Sequence, residues 1–278
     1  MSPSRLIGLL DCNCFFVSCE KLFRPDLKDK AVVVLSNNDG VVVSRSPEAK
    51  KLVPMGEPHY KIKHLAQRGQ VIVFSSNYRL YGDMSNRVME TLQQWTPHTE
   101  IYSIDEAFLD LTKHGNTSVD SLMNEIVSTV KQWTGIPVSL SVGSTMTLAK
   151  VANNLEKKGS GTCALLDPLV REQSLAEMEI GDVWGIGRRL APRLIRWGIR
   201  TAKDLASVDP LWMRKNFTVV QERLVRELNG EPCLDLIEVA APRKNIQVSR
   251  SFSKATDDYR SLYDPSYLVF PAFRQYTW

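Results

Sequence analysis

Residues 102–110 read Tyr-Ser-Ile-Asp-Glu-Ala-Phe-Leu-Asp, and this stretch decides how the rest of the chain is interpreted. Its many apolar residues predict a short β-ribbon packed on a core. Neighbouring strand residues point to opposite faces, so Asp105 and Glu106 can share one site only if the strand bends between them. Charge on a buried ribbon needs compensation, which a divalent cation provides. A hairpin turn with two solvated acids explains this stretch equally well.

A third acid lies near the start of the chain. Residues 6–17 predict a buried strand that carries Asp11, followed by helix-compatible residues through Phe23. An acid at the end of an apolar strand is a common metal-binding carboxylate, although a helix N-cap explains many such cases. If the two strands are neighbours, Asp11, Asp105 and Glu106 form an oxygen-rich site for two Mg²⁺ ions about 3.5–4 Å apart. Such a site is typical of enzymes that catalyse in-line attack on a phosphate.

Size and composition set broad limits. The chain has 278 residues, a formal net charge of +4 and 43% hydrophobic residues, which predicts roughly two domains with real cores. No apolar run approaches the ~18 residues of a membrane span. The first ten residues lack a cleavage-site pattern, so secretion is not expected.

Five cysteines, an odd number, indicate reduced thiols and a cytoplasmic protein. Cys12, Cys14 and Cys19 lack a CxxC pair and are interpreted as core residues rather than zinc ligands.

Five ordered motifs give a specific resemblance. The chain resembles the Y-family translesion DNA polymerases, and within them the UmuC branch, which supplies the catalytic subunit of DNA polymerase V. The resemblance extends from about residue 6 to about residue 253. The motifs are Asp-Cys-Asn-Cys-Phe-Phe-Val-Ser-Cys-Glu at 11–20, Val-Leu-Ser-Asn-Asn-Asp-Gly at 34–40, Phe-Ser-Ser-Asn-Tyr at 74–78, Tyr-Gly-Asp-Met-Ser at 81–85 and Tyr-Ser-Ile-Asp-Glu-Ala-Phe at 102–108.

The resemblance implies a domain plan. It predicts a mixed α/β palm, a small fingers domain, and an all-α thumb that contains a helix-hairpin-helix. The fourth domain of the family, the little finger, is expected to be essentially missing. The predicted boundaries are 1–25 and 76–166 for the palm, 26–75 for the fingers, 167–237 for the thumb, 238–248 for a linker, and 249–278 for a truncated start of the little finger with a divergent tail.

The resemblance also implies roles for single residues. Asp105 and Glu106 would be catalytic, and with Asp11 and the backbone carbonyl of Cys12 they would hold the two Mg²⁺ ions. Phe16 matches the steric gate that excludes a ribose 2′-hydroxyl, although an aromatic core residue is the simpler alternative there. Ser44, Lys50 and Lys157 would contact the triphosphate of a dNTP. Lys50 stands where several relatives have Arg, and a solvated helix lysine is the alternative for it. Lys150, on the face shared with Lys157, is interpreted as a structural or surface lysine.

Sequence patterns predict the elements that carry these residues. Strands are predicted at 31–35 and 40–43, followed by a helix with Ser46 as N-cap and Pro47 at its first position. Apolar residues at helical spacing predict helices over 81–95, 121–133 and 147–158, the last one stopped by the glycines at 159 and 161. Residues 137–143 alternate as a half-buried strand. Strands and helices in this order predict an α/β palm.

Residues 183–199 predict a helix, a Gly-Ile-Gly hairpin and a second helix. The amides of Gly185 and Gly187, with Arg188 and Arg189, would bind a DNA phosphate without reading sequence. Between residues 184 and 226 there are ten Lys or Arg against three Asp or Glu, as expected for backbone binding. An ordinary basic helical face is the alternative.

The resemblance ends near residue 253. Intact relatives continue for well over a hundred residues, whereas residues 259–278 are rich in aromatics and prolines and do not match. The sequence is consistent with a premature stop, a frameshifted end or a trimmed chain. The little finger normally grips the duplex, and the sliding-clamp peptide of the UmuC branch is not found, so weak DNA binding and a lost clamp contact are expected.

These interpretations lead to one hypothesis and two alternatives. The hypothesis is Mg²⁺-dependent, error-prone DNA synthesis across lesions on primer-template DNA in the SOS response. By resemblance, a UmuD′-like dimer and RecA would be its partners. The first alternative is a weak or inactive remnant that binds DNA or UmuD′-like proteins and modulates SOS mutagenesis. The second, a nucleotidyl cyclase, is disfavoured because cyclases have no use for a helix-hairpin-helix.

Overall fold

A computed structural model describes residues 5–114, 117–156, 161–237 and 257–258. Lys157, the glycine stop at 159, the linker at 238–248 and the rest of the tail, apart from residues 257 and 258, lie outside the described residues, so the interpretations placed on them stay predictions. The described chain divides into a large unit, residues 5–28 with 77–237, and a small unit, Asp29–Ser76. The predicted mixed α/β architecture is confirmed. None of the described helices is long and apolar enough to cross a membrane.

The strands of the described chain are β1 Ile7–Cys12, β2 Val32–Leu35, β3 Val42–Arg45, β4 Ile72–Phe74, β5 Thr99–Ile101, β6 Glu106–Asp110, β7 Val138–Gly143 and β8 Thr162–Leu165. The α-helices are α1 Phe15–Leu22, α2 Pro47–Lys50, α3 His59–Gln67, α4 Tyr78–Leu92, α5 Val119–Thr134, α6 Met146–Glu156, α7 Pro168–Glu177, α8 Ala191–Arg196, α9 Ala202–Ala206, α10 Pro210–Asn216 and α11 Val219–Leu228. The elements predicted from periodicity agree with this assignment to within a few residues, with two exceptions, the N-terminal strand and the helix before the Gly-Ile-Gly loop. Strand β7 is also buried along its whole length, whereas the alternating pattern predicted a half-buried strand.

The first exception is the N-terminal strand. It was predicted over 6–17, but β1 ends at Cys12. Cys14 then adopts a left-handed conformation with φ of 49° and caps α1. An apolar run fits a buried strand and a buried helix equally well, which explains why the pattern failed here. Phe16 therefore lies in the first turn of a helix.

A five-stranded sheet organises the large unit, in the order β5-β6-β1-β7-β8. Strand β1 is central and antiparallel to both β6 and β7, while β7 and β8 are parallel. The residues of β1 are buried almost without interruption because helices cover both faces of the sheet. Helix α6 packs on β1 and β7. Ile7, Leu9, Phe108, Met146 and Ala149 form the core on the α6 face.

The C-terminal part of the large unit, α7 to α11, packs into a second core that α6 also joins. Glu227 in α11 is completely buried, and its carboxylate accepts hydrogen bonds from the backbone amides of Thr147, Cys233 and Leu234. The start of α6 is therefore fixed by a charge that comes from α11.

The small unit has its own three-stranded sheet in the order β3-β2-β4. Its core consists of seven buried residues: Val33, Leu35, Val42, Ala49, Val53, Ile62 and Val71. The predicted helix cap is confirmed: the Ser46 hydroxyl accepts the amide of Ala49, and Pro47 is the first residue of α2.

Candidate active site

Two of the predicted carboxylates lie side by side on the sheet. Asp11 of β1 is the register partner of Glu106 of β6. Directly opposed residues of an antiparallel pair point to the same face, with Cβ atoms about 4.5–5.5 Å apart. Because side chains alternate along β1, Asp11 shares the α6 face with Ile7 and Leu9. The run of apolar residues thus forms the strand, and the register places the two acids together at its end.

Asp105 lies in the turn that leads into β6 rather than within a bent strand. The amides of Tyr102 and Ser103 both donate to the carbonyl of Glu106, which closes the hairpin between β5 and β6. The Ser103 hydroxyl donates to the Asp105 carboxylate at 2.6 Å. The carbonyl of Asp105 accepts the amide of Cys12 at 2.8 Å, which extends the pairing with β1. The stretch is therefore a hairpin turn as well as a ribbon, and neither acid is fully solvated.

Helix α6 supplies a partner to each acid of the register pair. The ammonium of Lys150 lies 2.8 Å from Oε1 of Glu106. The amide nitrogen of Asn153 donates to Oδ2 of Asp11 at 3.0 Å. Residues three apart on a helix lie on one face, with Cβ atoms about 5–6 Å apart. This distance is close to the distance between two neighbouring strands. One turn of α6 therefore holds both carboxylates.

Sequence reasoning missed these two partners. Lys150 was interpreted as structural or surface, and Asn153 was not singled out. The only signal in the sequence is that both polar residues fall on a helix whose Leu148, Val151 and Ala152 are buried. Asn153 itself is buried, and a buried amide in an apolar stripe needs a polar partner.

Aromatic rings surround Lys150. Its ammonium lies 4.4 Å from the ring centroid of Tyr102, 5.6 Å from that of Phe108 and 6.0 Å from that of Trp184. The indole of Trp184 donates to the Tyr102 hydroxyl at 3.1 Å. Only 12% of the Lys150 side chain and 20% of the Glu106 side chain are exposed. The ion pair is thus largely shielded from water. Charge interactions are stronger in such surroundings than in water.

Cys12 is a poor candidate for a thiolate ligand. Burial raises the pKa of its thiol well above the usual value, and the charges of Asp105 and Asp11 raise it further. The thiol therefore stays protonated at neutral pH, and only a thiolate ligates metals well. The predicted role of the Cys12 backbone carbonyl as a ligand stays a prediction.

The donor chemistry fits Mg²⁺. Three carboxylates lie at one end of the sheet, and Oδ1 of Asn153 is buried without a hydrogen-bond partner in the described part of the chain. Such an oxygen suits a metal-bound water. In the same part of the chain, no three ligating side chains already converge on a single point. Mg²⁺ usually keeps several waters and combines one or two carboxylates with substrate phosphates, so a preformed cage is not required.

Phe16 lies against two tyrosines of α4. Its ring stacks on Tyr81 at 4.5 Å and meets Tyr78 edge-on at 6.1 Å. Tyr81 is buried and donates its hydroxyl to Glu20 at 2.8 Å, which fixes the ring on which Phe16 rests. Phe15 is buried, whereas Phe16 is only half-buried. Its role as a steric gate stays a prediction.

In the small unit, the two predicted nucleotide ligands differ in exposure. Ser44 is buried in β3 at 6% exposure, whereas Lys50 is exposed at the end of α2. Both assignments stay predictions, as does Lys157.

The Gly-Ile-Gly loop forms a tight, exposed turn. Gly185 has a φ of 86°, a left-handed conformation that favours glycine, and Ile186 anchors the loop at 5% exposure. Gly187, Arg188 and Arg189 are exposed and lead into α8. The predicted helix before the loop is wrong: a single 3₁₀ turn, Ile180–Asp182, precedes it. The glycines and arginines still form one exposed, basic surface, but their binding of DNA stays a prediction.

Comparisons with known proteins match the region of the chain that contains these residues. The model of the impB/mucB/samB family matches residues 10–154, which include the three carboxylates, Lys150 and Asn153. The chain is 47% identical to the protein UmuC of Salmonella typhimurium over 92% of this chain, and it spans 62% of that relative's length. It is 30% identical to DNA polymerase IV 1 of Halalkalibacterium halodurans over 83% of this chain and 56% of that protein.

Solved structures show the same fold. A Dbh–Dpo4 chimera, described as a Y-family DNA polymerase, is 26% identical with a TM-score of 0.71, over 84% of this chain and 69% of that one. DinB from Sulfolobus solfataricus is 27% identical with a TM-score of 0.65, over 80% of this chain and 66% of that one. The chain therefore belongs to the impB/mucB/samB family, the UmuC-like members of the Y-family DNA polymerases.

Proposed function

We propose that this protein catalyses template-directed DNA synthesis across damaged DNA by nucleotidyl transfer from a dNTP. The observation that carries the proposal is the register pairing of Asp11 with Glu106, with Asp105 in the adjoining turn. Family membership supports it, because the relatives include proteins named DNA polymerase IV. In the proposed domain plan, the palm is formed by 1–25 and 76–166, the fingers by 26–75 and the thumb by 167–237.

The carboxylates would hold two Mg²⁺ ions, with Asp105 and Glu106 as the catalytic pair. When bound, Mg²⁺ lowers the pKa of the primer 3′-hydroxyl and neutralises the triphosphate and the leaving pyrophosphate. Asn153 orients Asp11 through its amide, while Lys150 of the same helix turn pairs with Glu106. A carboxylate held in one orientation needs less reorganisation when the substrate arrives.

Other residues would bind and select the substrates. Phe16 would exclude a ribose 2′-hydroxyl, with its ring held in place by Tyr81. Ser44, Lys50 and Lys157 would bind the triphosphate. The exposed loop at 185–189 would contact the phosphate backbone of the primer-template, whatever its sequence. We further propose that the protein acts in the cytoplasm during the SOS response, with a UmuD′-like dimer and RecA as partners.

Single-nucleotide primer extension tests the proposal. The 278-residue chain is supplied in excess at low salt with Mg²⁺, a primer-template and one dNTP at a time. We expect incorporation of the nucleotide that the template specifies, and a loss of at least about 100-fold in Asp105→Asn and in Glu106→Gln. Asp110→Asn is the matched control because Asp110 lies at the other end of β6 and accepts the amide of Thr112.

Three outcomes would refute the proposal. DNA binding without incorporation by the wild-type chain would leave the non-catalytic remnant as the explanation. A product formed from nucleotide without DNA would indicate a cyclase. Incorporation that survives in both Asp105→Asn and Glu106→Gln would show that the chemistry takes place elsewhere.

A further inference from the structure

In the Lys150–Glu106 pair, the ammonium of a lysine lies on a carboxylate that we propose to be a metal ligand. We propose that Lys150 is a positioning residue that occupies Glu106 in the metal-free protein and is displaced from it when a divalent cation binds. The inference rests on the proposed function only in that it takes Glu106 to be a metal ligand.

The geometry leaves little room for both cations. The Lys150 ammonium is hydrogen-bonded to Oε1 of Glu106 at 2.8 Å, and both side chains are mostly buried. Mg²⁺ binds a carboxylate oxygen at about 2.0–2.1 Å in a strict octahedral shell. An ion that approaches Oε1 would meet the ammonium at close range, in surroundings that screen charge repulsion poorly. Binding of the ion at Oε1 therefore requires the lysine to move away from that oxygen.

Lys150 already has a second place for its charge. The ring of Tyr102 lies 4.4 Å from the ammonium, and Phe108 and Trp184 complete an aromatic wall beside it. A cation over such rings is stabilised by roughly 0.5–2 kcal/mol, depending on its desolvation. A small movement of the ammonium thus exchanges a carboxylate for aromatic faces, and the lysine need not be expelled into water. This makes displacement reversible.

The contact that α6 makes with the other acid is a neutral one. Asn153 holds Asp11 through its amide, which adds no positive charge beside that carboxylate. Lys150 places its positive charge on Glu106, so the competition that we propose acts at this carboxylate.

Mn²⁺ binding, measured by electron paramagnetic resonance without DNA or nucleotide, tests the inference. Lys150→Met removes the charge and keeps an apolar stem against the rings, and we expect it to bind Mn²⁺ roughly tenfold more tightly, about 1.4 kcal/mol. Lys150→Gln is a second uncharged variant in case the first folds poorly. Lys150→Arg should restore wild-type affinity. Lys203→Met is the matched control, because Lys203 forms a 2.8 Å pair with Glu172 at an exposed position.

A double-mutant cycle separates direct competition from a general field effect. If Lys150 acts through Glu106, the gain in affinity should disappear when Lys150→Met is combined with Glu106→Gln. Unchanged or weaker Mn²⁺ binding in both uncharged variants would overturn the inference, and so would a gain that persists in the Glu106→Gln background. These measurements need no polymerase activity, so failure of primer extension and failure of this inference are distinguishable.

Discussion

Replacing Glu227 by Gln should lower the free energy of unfolding by about 2–4 kcal/mol, although Glu227 takes no part in the proposed chemistry. Its side chain is completely buried. Oε2 accepts the amide of Thr147 at 3.0 Å, and Oε1 accepts the amides of Cys233 and Leu234 at 2.8 and 3.1 Å. One carboxylate thus joins α11, the first turn of α6 and the segment after α11.

The magnitude follows from what glutamine can replace. Its single carbonyl oxygen can serve Cys233 and Leu234, but its NH₂ group then faces the Thr147 amide, and two donors meet without an acceptor. A hydrogen bond to a charged group contributes about 1.5–3 kcal/mol, and a buried donor left unsatisfied costs about 1–3 kcal/mol. The lost charge also stood near the positive end of α6, which adds up to about 1 kcal/mol. Local relaxation offsets part of this sum.

Urea denaturation followed by circular dichroism measures the effect, with the midpoint and the m-value fitted separately. Glu231→Gln is the control, since it removes the same charge from a side chain that is 56% exposed and bound to Arg226. An exposed pair of this kind contributes about 0–1 kcal/mol. If Glu227→Gln lies within about 0.5 kcal/mol of Glu231→Gln, the proposed role of the buried carboxylate is refuted.

Three further predictions concern the substrate sites and the response to pH. Phe16→Ala should improve ribonucleotide incorporation relative to deoxyribonucleotide by at least about tenfold in single-nucleotide assays, or about 1.4 kcal/mol, and unchanged discrimination would exclude a gate. Replacing Arg188 and Arg189 by Gln should weaken binding to unrelated duplexes equally and lower the salt slope by about two, whereas sequence-dependent losses would contradict backbone binding. Burial, with the charge of Glu20, raises the pKa of Cys19 to about 12. The unfolded thiol ionises near ~8.5, so unfolding free energy should fall by ~1.4 kcal/mol per pH unit above that value until about pH 12. Cys19→Ala should show a shallower fall in urea titrations, and equal slopes would refute the assignment.

Local signals in the sequence predicted much of the fold. The cap at Ser46 and Pro47 depends only on residues next to each other, and the structure confirms it. Apolar spacing located α4, α5 and α6 for the same reason. The error at β1 has a local cause too: the left-handed residue Cys14, which directly precedes α1, is not a glycine and gives no turn signal.

The partners of the carboxylates could not be found in this way. Lys150 meets Glu106 across 44 residues, and Asn153 meets Asp11 across 142. No periodicity within one element reveals a contact between a helix and two strands so far apart. The turn at Asp105 is likewise set by the pairing of β5 with β6 and by Cys12, so sequence alone left a ribbon and a hairpin turn as equal possibilities.

The central position of β1 also has a consequence for synthesis on the ribosome. Both of its neighbours, β6 and β7, follow late in the chain, and β7 ends only at Gly143. At about 5–20 residues per second, β1 waits on the order of 10 s for both partners. During that time an apolar strand with unpaired edges is prone to aggregate. A charge within an apolar segment disfavours such association, and Asp11 is the one charge in the strand.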